Sequence, residues 1–261
     1  MQEVSICELL RIAIEQNKIP RYLYKYTTVD NALKAITGGT VYFARFSEFN
    51  DEYEGYAKIE TENNYDDWAD FMMKNGVCGL DAYFIMSTVK RNPLKVGEII
   101  KNVINESQKN NGFLCLTTKC NNVLMWAHYA DHNKGCCLEY DLLADVDVFC
   151  RIQKIRYDDK TLEFNYLKNN GGAFEAMFHK SKMWEYEDEY RVLSIDEHGP
   201  KKVKDGSLTR IIFGTKTSEE DKKRIIDNIN SLKHTPKISI AVKGSNASEF
   251  EIEDIKDDIM K

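Results

Sequence analysis

Apolar residues recur at Ile6, Leu9, Leu10, Ala13 and Ile14, one stripe of a 3.6-residue repeat, beside the capping-box run Ser5-Ile6-Cys7-Glu8. This pattern predicts an amphipathic first helix. Beyond Pro20 the aromatic-rich RYLYKYT predicts a strand, followed by a helix capped by Thr28 and closed by Gly38-Gly39, then a short strand TVYFA. From about Asn64 to Asn110 the spacing is helical. Trp68, Phe71 and Met72 share one face there, and Val96, Ile99, Ile100, Val103 and Ile104 form a second stripe. GFLCLTT reads as a strand, NVLMWAHYAD as a helix, and CCLEYD, beyond the turn residues Asn133 and Gly135, as another strand. A strand over about 152–157 and a helix over about 164–182 lead to WEYEDEYRVLS, which reads as a charged strand. In the last third, LTRIIFG is a strand, Ser218 to Leu232 a helix with Ile225, Ile226, Ile229 and Leu232 inward, and KISIAV a strand. FEIEDI alternates apolar with acidic residues, the period-2 signature of a strand wet on one face.

No repeat, low-complexity tract or Gly/Ser-rich linker interrupts this order. The expectation is one α+β domain over residues 1–261, built on short, mostly antiparallel strands, with a helical insertion at about 64–110. Of the 261 residues, 43% are apolar and 30% charged, which fits a folded globular chain. A net charge of −6 argues against a broad nucleic-acid-binding face. No run is long enough to span a bilayer and MQEVSICELL lacks a signal-peptide design, so a cytoplasmic protein without membrane contact is expected. The seven cysteines have no framework spacing and no C-x-x-C pair, and read as reduced core residues.

Four stretches could carry chemistry. On the first strand, alternation sends Lys25 and Thr27 to one face and Tyr24 and Tyr26 to the other. In TVYFARFSEFNDEYEG a strand runs into a polar turn at Asn50-Asp51, with Tyr42 and Tyr53 offering flat faces that stack on heteroaromatic rings. His128 and His132 stand four apart on the expected helix, a metal-like spacing whose third ligand would have to be Glu139 or a cysteine. In an extended WEYEDEYRVLS, Glu187, Glu189 and Arg191 share a face, and two carboxylates that close require a partner such as Lys25, Lys182 or a polar ligand, while one of the two could pair with Arg191 and leave the other free. Phosphate-loop, Rossmann and G-x-S-x-G patterns are absent from the sequence.

The blocks LYKYTTVDNALKAITGGTVYFARFSEFND, FLCLTTKCNNVLMWAHYADHNKGCCLEYD and KMWEYEDEYRVL resemble a large, little-characterised bacterial domain family with LYKY, F-N-D, M-W-x-H-Y-A and W-x-Y-E-x-E-Y-R blocks. The order Tyr24-Lys25-Tyr26-Thr27, then Tyr42-Phe43-Ala44, then Glu189-Tyr190 is also similar to the His, Tyr, Glu signature of ADP-ribosyltransferases of the poly(ADP-ribose) polymerase and DNA-modifying toxin type. That resemblance implies a split, mostly antiparallel sheet that grips NAD. Thr27 would then anchor the cofactor and Tyr42 stack on nicotinamide, with Asn50 and Tyr53 in the adjoining loop. Glu189 would stabilise the positive charge that develops on the ribose, and Glu187 would orient or deprotonate the acceptor. Lys25 stands where the family has His; it cannot accept a hydrogen bond while charged but could bind the pyrophosphate.

The function expected is an NAD-consuming ADP-ribosyltransferase or glycohydrolase, a toxin or phage-defence effector that modifies protein or nucleic acid, with no metal. Two alternatives stay open: a non-catalytic nucleotide- or protein-binding module on the same fold, and a metal-dependent hydrolase or nuclease using His128 and His132.

Overall fold

The computed structural model describes residues 4–60, 63–169, 171–230 and 232–255, which form two compact units. The first unit takes residues 1–44, 112–155 and 183–261, the second residues 45–111 and 156–182. In chain order the first unit opens with α1 (Ile6–Glu15), β1 (Tyr22–Thr27), α2 (Val29–Gly38) and β2 (Thr40–Phe43). The second unit follows with β3 (Lys58–Glu60), α3 (Tyr65–Lys74), α4 (Gly79–Arg91) and α5 (Pro93–Asn110). The chain re-enters the first unit with β4 (Gly112–Thr117), α6 (Val123–Tyr129), β5 (Cys136–Asp141), α7 (Val146–Phe149) and β6 (Ile152–Lys154). It returns to the second with β7 (Arg156–Tyr157), β8 (Glu163–Asn165), α8 (Gly172–Ala176) and β9 (His179–Lys180). The first unit closes with β10 (Glu189–Ser194), β11 (Gly199–Lys202), β12 (Leu208–Phe213), α9 (Glu219–Ile229), β13 (Lys237–Lys243) and β14 (Phe250–Asp254). The expected helical insertion is α3 to α5, and it belongs to a unit that also holds residues 45–64 and 156–182.

The α+β class is as expected. Eight strands of the first unit form one sheet in the order β14-β13-β12-β5-β1-β4-β10-β6, antiparallel throughout except for β12 beside β13. Strand β1 is in register with β5 along its whole length, from Tyr22–Asp141 to Thr27–Cys136, but with β4 only at Tyr24–Thr117. At the other end of β4, Phe113 is bridged instead by Ala44, the residue after β2. The sheet therefore splits between β1 and β4.

Each face of this sheet is covered for a reason visible in the sequence. Ser5 caps α1 and Thr28 caps α2, each accepting from the backbone three residues on, and Gly39 closes α2 at φ +54°. Leu10, Ile14, Ala32, Ile36, Ile225 and Ile229 of α1, α2 and α9 pack on Leu23, Leu138, Tyr190 and Val192. On the other face α6 presents Met125 and Trp126 to Tyr26, Cys137, Ile212 and Ala241. Trp126 is fully buried, its indole N–H donates to the Cys120 carbonyl at 2.9 Å, and the Tyr26 ring meets it edge-on at 5.1 Å. At Gly135 a Cβ would lie 2.2 Å from the Thr27 carbonyl oxygen, so only glycine lets β5 begin against the end of β1.

Three local expectations fail. The helix expected over about 164–182 is instead β8, the short α8 and β9. Gly172 packs directly on the Phe164 ring, where a Cβ would come within 2.2 Å, and the chain turns back rather than continuing a helix. WEYEDEYRVLS is extended only from Glu189: Lys182–Glu187 is a 3₁₀ turn, and Asp188 takes the left-handed conformation, φ +41°. On α5, Ile104 is buried as expected while Ile99 and Val103 are exposed; the side chains of Val96 and Ile100 lie outside the described residues. No described helix is long and apolar enough to cross a membrane.

Candidate functional site

The acidic stretch 187–189 is fastened to the end of β4. The Thr117 hydroxyl donates to the Glu187 carbonyl and accepts from the Lys119 N–H at 3.1 Å, while the Thr118 hydroxyl donates to the Asp188 carboxylate. Lys154 of β6 reaches Asp188 at 2.8 Å. Burial alone would raise the Asp188 carboxyl, but the hydrogen bonds from Lys154 and Thr118 outweigh it and hold it below the usual carboxylate value. A depressed value means that this contribution is complete above the unfolded-state pKa, roughly 4, and is lost as pH falls through the folded one. Asp188→Asn is therefore expected to flatten the acid limb of a pH series of denaturant-unfolding curves, with the gap to wild type closing as pH falls through the depressed folded-state pKa. An unchanged acid limb would show that Asp188 carries no such linkage.

The left-handed turn at Asp188 separates the two glutamates that an extended reading places together. Glu187, 3% exposed, accepts from the Tyr129 hydroxyl of α6. Glu189, 4% exposed, lies on β10, where every side chain is buried, and is held by Arg191 in a two-point fork: Nε to Oε1 and Nη2 to Oε2, both 3.1 Å. Arg191 is 0% exposed, and its guanidinium sits 5.7 Å from the centre of the Phe113 ring. Cys115, opposite Arg191 in register, has its thiol pushed up by loss of water and by Glu189, partly offset by Arg191 and Lys25. Lys25 is thus within electrostatic reach of this cluster, beside the split.

A second carboxylate on the same face, Glu139 of β5, accepts from the Tyr24 hydroxyl at 2.8 Å and the Thr209 hydroxyl at 2.7 Å. Burial is the main cause that pushes the Tyr24 phenol up, with Cys120 and Glu139 adding to it. Beside Glu187 lies an aromatic rim: Trp184 and Tyr186 are 6.1 Å apart and tilted by 37°, and Tyr186 and His128 are 6.4 Å apart and tilted by 40°. Trp184 and Tyr186 are half-buried and His128 is exposed.

No family model, curated protein or solved structure matches this chain.

The expected cofactor contacts do not gather around Glu189. Thr27 is paired with Cys136 at the end of β1. Tyr42, 51% exposed, is paired with Pro200, and its strand leads to the Ala44–Phe113 bridge, four residues along β4 from the Thr117 that faces Glu189. At roughly 3.3 Å per residue that is about 13 Å. Tyr42 is thus at the wrong end of β4, because β2 pairs with β11 and not along the split. Asn50 and Tyr53 belong to the second unit, in a turn where the Tyr53 N–H bonds the Asp51 carboxylate at 2.9 Å and the Tyr53 ring meets Tyr56 edge-on. That unit also buries an ion pair, Lys180 to Glu54 at 3.1 Å.

The histidine pair is undone by the end of α6. The helix stops at Tyr129, and Asp131, His132 and Asn133 all have positive φ (+44°, +53° and +73°), so His132 is not on the helical face of His128. Among the described residues no three His, Cys, Asp or Glu side chains converge as a metal would need. Sequence reasoning missed Tyr129, Thr117, Thr118 and Lys154 as partners of the acidic stretch. The M-W-x-H-Y-A block, which contains Tyr129, is the signal that points to one of them.

Proposed function

We propose that the protein is a binding module for a nucleotide-class ligand, in which Glu189 serves the sheet and not a reaction. One observation carries this reading: Arg191 occupies both oxygens of Glu189 at full burial. A carboxylate fixed in that way has both oxygens engaged by a buried guanidinium, and turning it toward a ribose would break that buried ion pair. The neighbouring rim of Trp184, Tyr186 and His128 supplies planar faces with partial solvent access, the feature on which a base or a nicotinamide ring stacks. Calorimetric titration of NAD, and separately of adenosine monophosphate, into the whole chain tests it. Saturable binding that weakens roughly tenfold or more in Trp184→Ala is expected, since one stacked base contributes about 1–3 kcal/mol. Binding unaffected by that substitution, or none by either probe, would overturn the assignment to this rim.

The split between β1 and β4, with Lys25 and Glu189 near it, favours a second reading: an NAD-consuming ADP-ribosyltransferase or glycohydrolase, in the manner of a toxin or phage-defence effector acting on protein or nucleic acid. This reading requires Glu189 to leave Arg191 and turn toward a ribose in the split, and it requires nicotinamide release that depends on Glu189.

A further inference from the structure

Two thiols far apart in sequence meet where α1 packs on α7. Cys7, half-buried in the first turn of α1, has its Sγ 3.7 Å from Asp147 Oδ1. Cys150, buried at the end of α7, has its Sγ 3.5 Å from the carbonyl oxygen of the same Asp147. The two sulfurs therefore flank one residue, and Cys7 packs against the core cluster that contains Cys150. Of the other thiols, Cys78 is exposed in the second unit, Cys136 and Cys137 are fully buried in β5, and the half-buried Cys120 packs against the cluster that contains Cys137.

We propose that Cys7 and Cys150 form a reversible intramolecular disulfide by exchange with a small-molecule disulfide such as oxidised glutathione, clamping helix α1 to the body of the first unit. The Cys7 thiolate attacks one glutathione sulfur, breaks the glutathione S–S bond and releases one glutathione thiolate. Cys150 then loses its proton to solvent and attacks the Cys7 sulfur, expelling the second glutathione. Two protein thiols are oxidised by two electrons and one glutathione disulfide is reduced to two thiols. Burial, with Cys7 beside it, pushes the Cys150 thiol up to about 11, so the second step is the slow one and quickens as pH rises. The clamp matters because α1 holds the sheet through only two buried side chains, Leu10 and Ile14, while Ile6 and Leu9 are exposed. A helix anchored so lightly opens readily unless it is tied down.

The test equilibrates the whole chain, carrying Cys78→Ser to remove the exposed thiol, in glutathione buffers of graded oxidation. Peptides are then mapped without reduction, and hydrogen exchange of α1 is measured. The expected result is one linked peptide containing Cys7 and Cys150, reversed by excess reduced glutathione and absent in Cys7→Ser and in Cys150→Ser. Slower exchange over α1 should accompany it in the oxidised form alone. A stable glutathione adduct at Cys7 with Cys150 still alkylatable would overturn the proposal, as would a linked peptide joining any other pair. Unchanged exchange in α1 after the link has formed would refute the clamp.

Discussion

Arg191→Leu is expected to destabilise the first unit by about 3–5 kcal/mol in denaturant unfolding, because it breaks a buried ion pair whose carboxylate, on Glu189, is only 4% exposed. The fork puts both oxygens of Glu189 on one guanidinium at 3.1 Å, so removing Arg191 takes a charged donor from each of them. Replacing both residues separates the cost of a broken pair from the worth of an intact one. Glu189→Leu combined with Arg191→Leu is expected to recover most of the loss, since an apolar pair of similar volume needs no compensating charge. If Arg191→Leu alone cost under about 1 kcal/mol, the pair would not be the structural unit described here.

Trp126→Ala is expected to cost about 3–5 kcal/mol by the same measurement, through a cavity under the α6 face of the sheet. Trp126 is 0% exposed, is met edge-on by Tyr26, and donates to the Cys120 carbonyl, which would lose a partner as well. Because Tyr129 and the Asn122 cap sit on the same short helix, the substitution should also loosen Glu187 and the aromatic rim, weakening the proposed nucleotide binding in step with stability. Phe substitution at 126 should restore much of the packing but not the indole hydrogen bond, and so fall between the two. A cost for Trp126→Ala near that of an exposed substitution, within about 0.5 kcal/mol, would contradict this core assignment.

Much of the first unit was legible from hydrophobic period and caps. Ser5, Thr28 and Ser218 each begin a helix where the sequence puts them, and the strands around Leu23, Leu138, Val192, Ile211 and Ala241 follow their apolar runs. What local pattern cannot encode is where strands meet. The sequence puts Tyr42 on a binding face because it precedes Phe43 and Ala44 on a strand; its placement is decided by pairing to Pro200, more than 150 residues later. The alternation of Glu187, Glu189 and Arg191 was correct for the last two and failed for the first. A single left-handed residue, Asp188, breaks the period, and its conformation is fixed by tertiary bonds to Thr118 and Lys154. His128 and His132 show the same limit: their helical spacing is real in sequence, but α6 ends between them.

On the proposed binding-module reading, Glu189 belongs to a buried structural fork and not to a reaction centre. Nicotinamide release from NAD by the whole protein, measured beside Glu189→Gln after both are shown to be folded, tests it most directly. No release above the buffer rate is expected from either protein. Release by the wild type that Glu189→Gln abolishes would contradict that reading and establish Glu189 as a catalytic carboxylate.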